Sequence, residues 1–143
     1  MQQLFGRRAE PSTYMDEAIR RALARGHVID ISTTGRRTGK PRRIEIVFHV
    51  FDGRIYISGM PSSRTRSWIH NLDADPRMTL HLKGPDVVAD VPATARIITD
   101  ETERRTILEK VARVWRRDDV DAMVQHAPLI EVTIPGYTDA AAA

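Results

Sequence analysis

The chain has 143 residues, a formal net charge of +3, 41% hydrophobic and 29% charged residues, and no cysteine. That composition suits one globular domain spanning residues 1–143, with 1–10 and 137–143 expected to be flexible. It excludes disulfides, thiolate metal sites and a cysteine nucleophile, and no apolar run approaches the length of a membrane span. Met1 to Glu10 holds Arg7 and Arg8 with no apolar segment behind them, so no signal peptide is expected and the cytoplasm is the default location.

The first predicted element is a helix from Pro11 to Arg25. Ile19, Ala22 and Leu23 share one face and Gly26 stops it. The period then changes, and Val28 to Thr34 reads as a strand. From Arg43 to Val50 the residues Ile44, Ile46, Phe48 and Val50 alternate with Glu45, Val47 and His49, the pattern of a strand with one core-facing side. Asp52-Gly53 signals a tight hairpin, with Arg54 to Ser58 as the returning strand.

A loop, Gly59 to Thr65, leads to a short helix from Arg66 to Leu72. Arg77 to Lys83 alternates again, Gly84-Pro85 turns the chain, and Val87 to Ile97 continues the alternation, with Pro92 marking an edge or a bulge. Asp100 and Glu103 read as a capping box before a helix with Ile107, Leu108, Val111, Val114 and Trp115 on its apolar face. Asp118 to His126 is a further short helix, Leu129 to Ile134 a last strand, and Tyr137 to Ala143 a disordered tail. About six mostly antiparallel strands with helices between them make an α+β chain whose hairpin-linked strands can curl into a small barrel.

The strongest chemical signal is the segment Gly35-Arg-Arg-Thr-Gly-Lys-Pro-Arg-Arg43, in which five of nine residues are cationic. Glycines let backbone amides approach an anion, and guanidinium forks match phosphate oxygens. It is not a P-loop, because the glycine and lysine order differs and a strand follows it. Three readings stay open from the residues alone: a phosphate cradle, a solvated hairpin tip, and a nucleic-acid patch. The third would call for interleaved aromatic residues, and none occurs between Thr33 and Val47.

The histidines (His27, His49, His70, His81 and His126) show no metal-ligand spacing, so no metal site is expected. His49 and His81 fall on the mixed faces of strands and read as polar surface or cavity lining. No histidine is placed by sequence to activate a serine. The carboxylates of Asp118, Asp119 and Asp121 read as a solvated helix face. Trp115 reads as core. Trp68 follows a Ser/Arg-rich loop and reads as a cavity wall, with an anchor of the short helix against the barrel as the alternative.

Taken together, Thr33-Thr-Gly-Arg-Arg-Thr-Gly-Lys-Pro-Arg42, the strand ending Asp52-Gly-Arg-Ile-Tyr56, and Trp68-Ile-His-Asn-Leu-Asp-Ala-Asp-Pro76 resemble the deazaflavin-dependent nitroreductase family. The resemblance runs from about Val28 to Ile134 and implies a split β-barrel of the pyridoxamine-phosphate-oxidase type that binds coenzyme F420. By position, it implies that Arg36, Arg37, Thr38, Lys40 and Arg42 surround the cofactor's phosphate and acidic tail. Ser58 and Gly59 then lie at the strand end beside the cofactor, Trp68 and Asn71 on the short helix, and Glu45 and Ile46 along the deazaflavin ring.

The sequence departs from the best-known pattern in three places. Glu45 stands where a proline is usual, the loop from Gly59 to Ser67 is short, and Trp115 to Ala127 has no tyrosine. The activity implied is hydride transfer from reduced F420 to a small quinone, enone or nitroaromatic, with no nucleic acid involved. Such chemistry needs few catalytic side chains, because the cofactor carries it; none is assigned. FMN in place of F420, or a non-catalytic carrier of the cofactor, is the alternative, and the chain is expected to be a monomer or a homodimer.

Overall fold

The computed structural model describes residues 16–26, 28–85 and 87–138. The Pro11-Ser12 helix start, His27 and the tail from Asp139 lie outside the described residues. Four helices and six strands follow in the order α1 (Glu17–Arg25), β1 (Val28–Thr34), β2 (Pro41–Phe51), β3 (Arg54–Ser58), α2 (Ser67–Ala74), β4 (Arg77–Lys83), β5 (Val88–Ile97), α3 (Glu101–Trp115), α4 (Val120–His126) and β6 (Leu129–Thr133). The strands close into an antiparallel barrel in the order β1-β2-β3-β6-β5-β4.

Local chemistry explains most element ends. The Asp16 carboxylate accepts from the Ala18 amide and caps helix α1 ahead of Glu17. Asp100 accepts from the Glu103 amide at 2.9 Å, as a capping box requires, but the Glu103 carboxylate turns to Arg96 instead of reaching back. Asp52 and Gly53 both have positive φ, which matches the twist of a two-residue hairpin. Pro92 lies where β5 pairs with β4 alone, before the β5–β6 ladder begins at Thr94, so its missing N–H interrupts no ladder towards β6.

Alternation divides the core in two. Ile29, Ile31, Phe48, Ile57, Leu80 and Val132 fill the barrel, joined by Ala22 and Leu23 from α1 and Trp68 and Leu72 from α2. A second cluster lies between the barrel wall and α3 and α4, built on Tyr56, Ile98, Leu108, Val111, Met123 and Leu129. Tyr137 packs on the barrel core, and the Thr138 hydroxyl bonds with the backbone of Ile134. Tyr137 and Thr138 are therefore anchored to the barrel. A turn that satisfies its own backbone groups explains this.

His49 corrects another expectation. It is 5% exposed, stacked on Phe51 and tilted against Trp115 at 5.2 Å, with its Nε2 lacking a hydrogen-bond partner. The outer face of β2 reads as mixed in sequence, but α3 covers it. Burial holds the imidazole below its ordinary value of 6.5. Because the folded value is depressed, the unfolded chain takes up the proton first, and stability falls as pH drops below the unfolded value. Chemical denaturation of the wild-type protein between about pH 7 and pH 5 is expected to show this loss, at most about 1.4 kcal/mol per pH unit. His49→Leu should flatten the dependence over the same interval, and an unchanged slope would remove His49 as its source.

Candidate functional site

Strand β2 changes partner along its length. Residues 41–47 pair with β1, whereas residues 48–51 pair with β3. Over residues 41–47 the edge facing β3 has no strand partner among the described residues. The gap opens between this edge and the chain leaving β3 at Ser58. It forms a cavity of about 650 Å³ walled by Ile46, Val47, Gly59, Met60, Trp68 and Trp115, with Glu45, Arg66 and Arg117 at its polar margins. A second cavity of about 690 Å³ adjoins it, lined by Thr33, Arg36, Arg37, Arg42 and Asn71. Ile44 and Trp68 line both, and the two adjoining cavities together make up the cleft.

The basic loop is tightly folded. The Gly35 amide donates to the Lys40 carbonyl and the Gly39 amide to the Gly35 carbonyl, both at 2.8 Å. A Cβ at Gly35 would lie 2.7 Å from the Thr38 hydroxyl, and Gly39 has φ +71°, so each glycine is required for a different reason. Asn71 clamps the loop to α2: its amide nitrogen donates to Thr33, and its oxygen accepts from the Arg36 backbone N–H at 3.0 Å. Arg36, Arg37 and Arg42 make no ion pair with any described residue. Five cations in nine residues, held without counter-charge except for Arg43 on Asp30, create a strong attraction for an anion. Helix α2 has no side-chain cap at its start, and its first residues, Ser67 and Trp68, line the same cavity, so its free amides add to that attraction.

Of the residues implied by resemblance, the cleft gathers Arg36, Arg37, Thr38, Arg42 and Asn71 in the basic half, and Glu45, Ser58 and Gly59 in the other, with Trp68 between. Lys40 lines neither half. Besides Asn71, three of these side chains are already engaged. The Ser58 hydroxyl donates to the Pro128 carbonyl at 2.7 Å, and the Thr38 hydroxyl accepts from the Lys40 amide at 3.1 Å. Glu45 is paired with Lys83 at 2.7 Å. Gly59 permits a close approach, since a Cβ there would sit 3.2 Å from the Pro128 ring.

The two tryptophans are the reverse of their expected placement in one respect. Trp68 is only 7% exposed and joins the barrel core as well as walling the cleft. Trp115, expected as core, is half-buried and lines the cavity, and Val114 is 58% exposed. Residue 115 ends α3, so the helix runs past the edge of the cluster its earlier turns cover. Sequence reasoning also missed Arg66, Met60 and Arg117. The Arg117 guanidinium is held by the Asp119 carboxylate and reaches the Met60 sulfur, so Asp119 is not merely a solvated acid.

A hydroxyl–imidazole–carboxylate chain was not expected, yet one exists. The His81 Nε2 lies 2.7 Å from the Ser32 Oγ and its Nδ1 lies 2.8 Å from an Asp90 oxygen. The order matches a serine hydrolase triad. Ser32, however, is paired on both sides, with Arg43 of β2 and Thr79 of β4, on the outer face of the barrel and outside the cleft. The surrounding ladders leave no convergent pair of amides to hold an oxyanion. The chain works as a strut across β1, β4 and β5.

The closed six-stranded barrel with its peripheral helices defines a split barrel of the pyridoxamine-phosphate-oxidase type. Solved structures agree at the level of fold. A conserved hypothetical protein from Mycobacterium tuberculosis is 19% identical, with a TM-score of 0.65 over 89% of this chain and 85% of that one. An F420 reductase is 17% identical, with a TM-score of 0.63 over 84% and 95%. A putative pyridoxamine 5'-phosphate oxidase from Listeria innocua is 14% identical, with a TM-score of 0.58 over 81% and 90%. Residues 8–135 match the family model of the F420H(2)-dependent quinone reductases, and the chain belongs to that family. It is an oxidoreductase that uses coenzyme F420. No curated protein matches the chain.

Proposed function

We propose that the cleft between β2, α2 and the end of α3 binds F420 along its length and presents it to a quinone-like acceptor. The observation that carries this reading is the adjacency of two unlike halves that meet at Trp68 and Ile44. One half is cationic and unpaired, suited to a phosphate and an acidic tail. The other is aromatic and apolar, suited to a flat ring. When bound in reduced form, F420 supplies a hydride, and a proton from water completes the reduction of a quinone to its hydroquinone.

The chain's own groups have separable tasks. Arg36, Arg37 and Arg42 hold the anionic portion, and Asn71 holds the loop that carries them. The unpartnered edge of β2 offers backbone N–H and C=O groups to the rim of a heterocycle. Trp68 and Trp115 keep water from the ring cavity, which strengthens every electrostatic interaction within it.

Replacing Arg37 or Arg42 with alanine is expected to weaken F420 binding by about 1.5–3 kcal/mol, the range for hydrogen bonds to charged groups. The melting temperature should barely move, because exposed charges contribute little to stability. Fluorescence titration of each variant with F420 tests this, and normal affinity in both would reduce the loop to a solvated turn. Parallel titration of the wild-type protein with FMN should give the weaker binding, since the acidic tail engages more of the cations.

A further inference from the structure

We propose that the acceptor is a flat molecule bearing an anionic group, a carboxylate or sulfonate, and that Arg66 is the residue that engages it. The proposal rests on the reading of the cleft as the redox site and adds the chemical class of the substrate.

Five arginines in the described residues are half-buried: Arg20, Arg66, Arg104, Arg105 and Arg117. Arg20 donates to the Gly136 carbonyl, Arg104 to four carbonyls, Arg105 to Asp121 and Arg117 to Asp119. Arg66 alone donates to no described residue from its side chain. A guanidinium that no described carboxylate or carbonyl engages is available to an anion in the cavities it lines.

Its position narrows the partner. The Arg66 guanidinium lies against Gly59, where a Cβ would be 3.6 Å from its central carbon. It lines the aromatic half of the cleft and not the basic half, so the cations assigned to the phosphate and tail do not include it. It also lines a third cavity of about 330 Å³, which runs along Ser62, Ser63 and Thr65 towards His126. Arg66 therefore stands where a molecule stacked in the aromatic cavity would project a substituent away from the basic loop. The other charges there are already neutralised, Glu45 by Lys83 and Arg117 by Asp119. An unopposed cation beside an apolar slot selects a ring with a negative substituent.

The test has a binding arm and a turnover arm. In calorimetric titrations of the wild-type protein, with and without F420, naphthalene sulfonate is expected to bind about ten-fold tighter than the neutral naphthalene sulfonamide. Arg66→Gln should erase that preference and Arg66→Lys should restore part of it. In steady-state assays with reduced F420, the ratio of kcat/KM for naphthoquinone sulfonate over naphthoquinone should fall about ten-fold in R66Q. Equal affinity of the wild-type protein for the two naphthalenes would overturn the proposal even if R66Q failed to fold. A loss of F420 affinity in R66Q, with the acceptor ratio unchanged, would overturn it by moving Arg66 to the cofactor. If F420 itself did not bind, the proposed function would fail, while the cofactor-free titrations would still decide the role of Arg66.

Discussion

Replacing Trp68 with alanine is expected to destabilise the protein by about 3–5 kcal/mol, the range for large-to-small changes at buried aromatic sites. The indole is almost fully enclosed and packs with Leu72 in the barrel core, so truncation leaves a void that rigid strands cannot collapse around. The same substitution removes the wall shared by both halves of the cleft, and F420 affinity should fall with stability. Trp115→Ala is the matched comparison. It is half-exposed at the end of α3, so a cost of about 1–2 kcal/mol is expected, with the larger effect on turnover. Denaturant melts of the two variants, each with cofactor titration, check the pair. Equal stability losses would show that Trp115 is as much a core residue as Trp68.

Arg104→Met should cost about 3 kcal/mol or more, an unusual amount for a residue whose charge meets no carboxylate. Its guanidinium donates to the carbonyls of Ile98, Met123, Val124 and Ala127, at 2.6 to 3.2 Å. Three of these belong to α4 and its C-cap, where the helix dipole is negative; the Met123 carbonyl also accepts from the Ala127 amide. Burial lowers the pKa of the guanidinium from its usual value, the signature of a cation held by neutral dipoles and not by an opposite charge. Methionine keeps the stem's volume and removes all of these bonds, which would release α4 from the β5–α3 corner. Loss of α4 should also reach the cleft through Pro128, which follows it and abuts both Ser58 and Gly59. Thermal melts and amide exchange over residues 120–128 measure the two consequences, and a melt within experimental error of wild type would remove Arg104 as the clamp.

The strands were legible because each carries a period-two pattern between turn residues. Val28–Thr34, Arg54–Ser58 and Arg77–Lys83 match their sequence boundaries. The closure of the barrel and the change of partner along β2 were not legible, since pairing is decided by residues far apart in sequence. The basic loop announced itself by charge density, but its supports did not. Nothing local marks Asn71 as the clamp of a loop more than 30 residues earlier.

The same limit hid the chain from Ser32 through His81 to Asp90, whose members are neighbours only across three strands. His49 was misread because alternation tells which side of a strand a residue occupies, not whether a helix will cover that side. Arg66 sits in plain view between Thr65 and Ser67. Its distinction, an unmatched guanidinium, exists only once every other half-buried arginine is seen to be matched.

The unpartnered stretch of β2 has a consequence for solubility. An open strand edge is a template for another chain to add a strand, and this stretch of β2 is such an edge. Along this stretch the chain carries Pro41, Arg42, Arg43 and Glu45, a proline and three charges, all exposed. These are residues that discourage strand addition. Variants made more apolar here to accept larger substrates would lose that protection first, and would clump in preparations short of cofactor before any change in folding stability became visible.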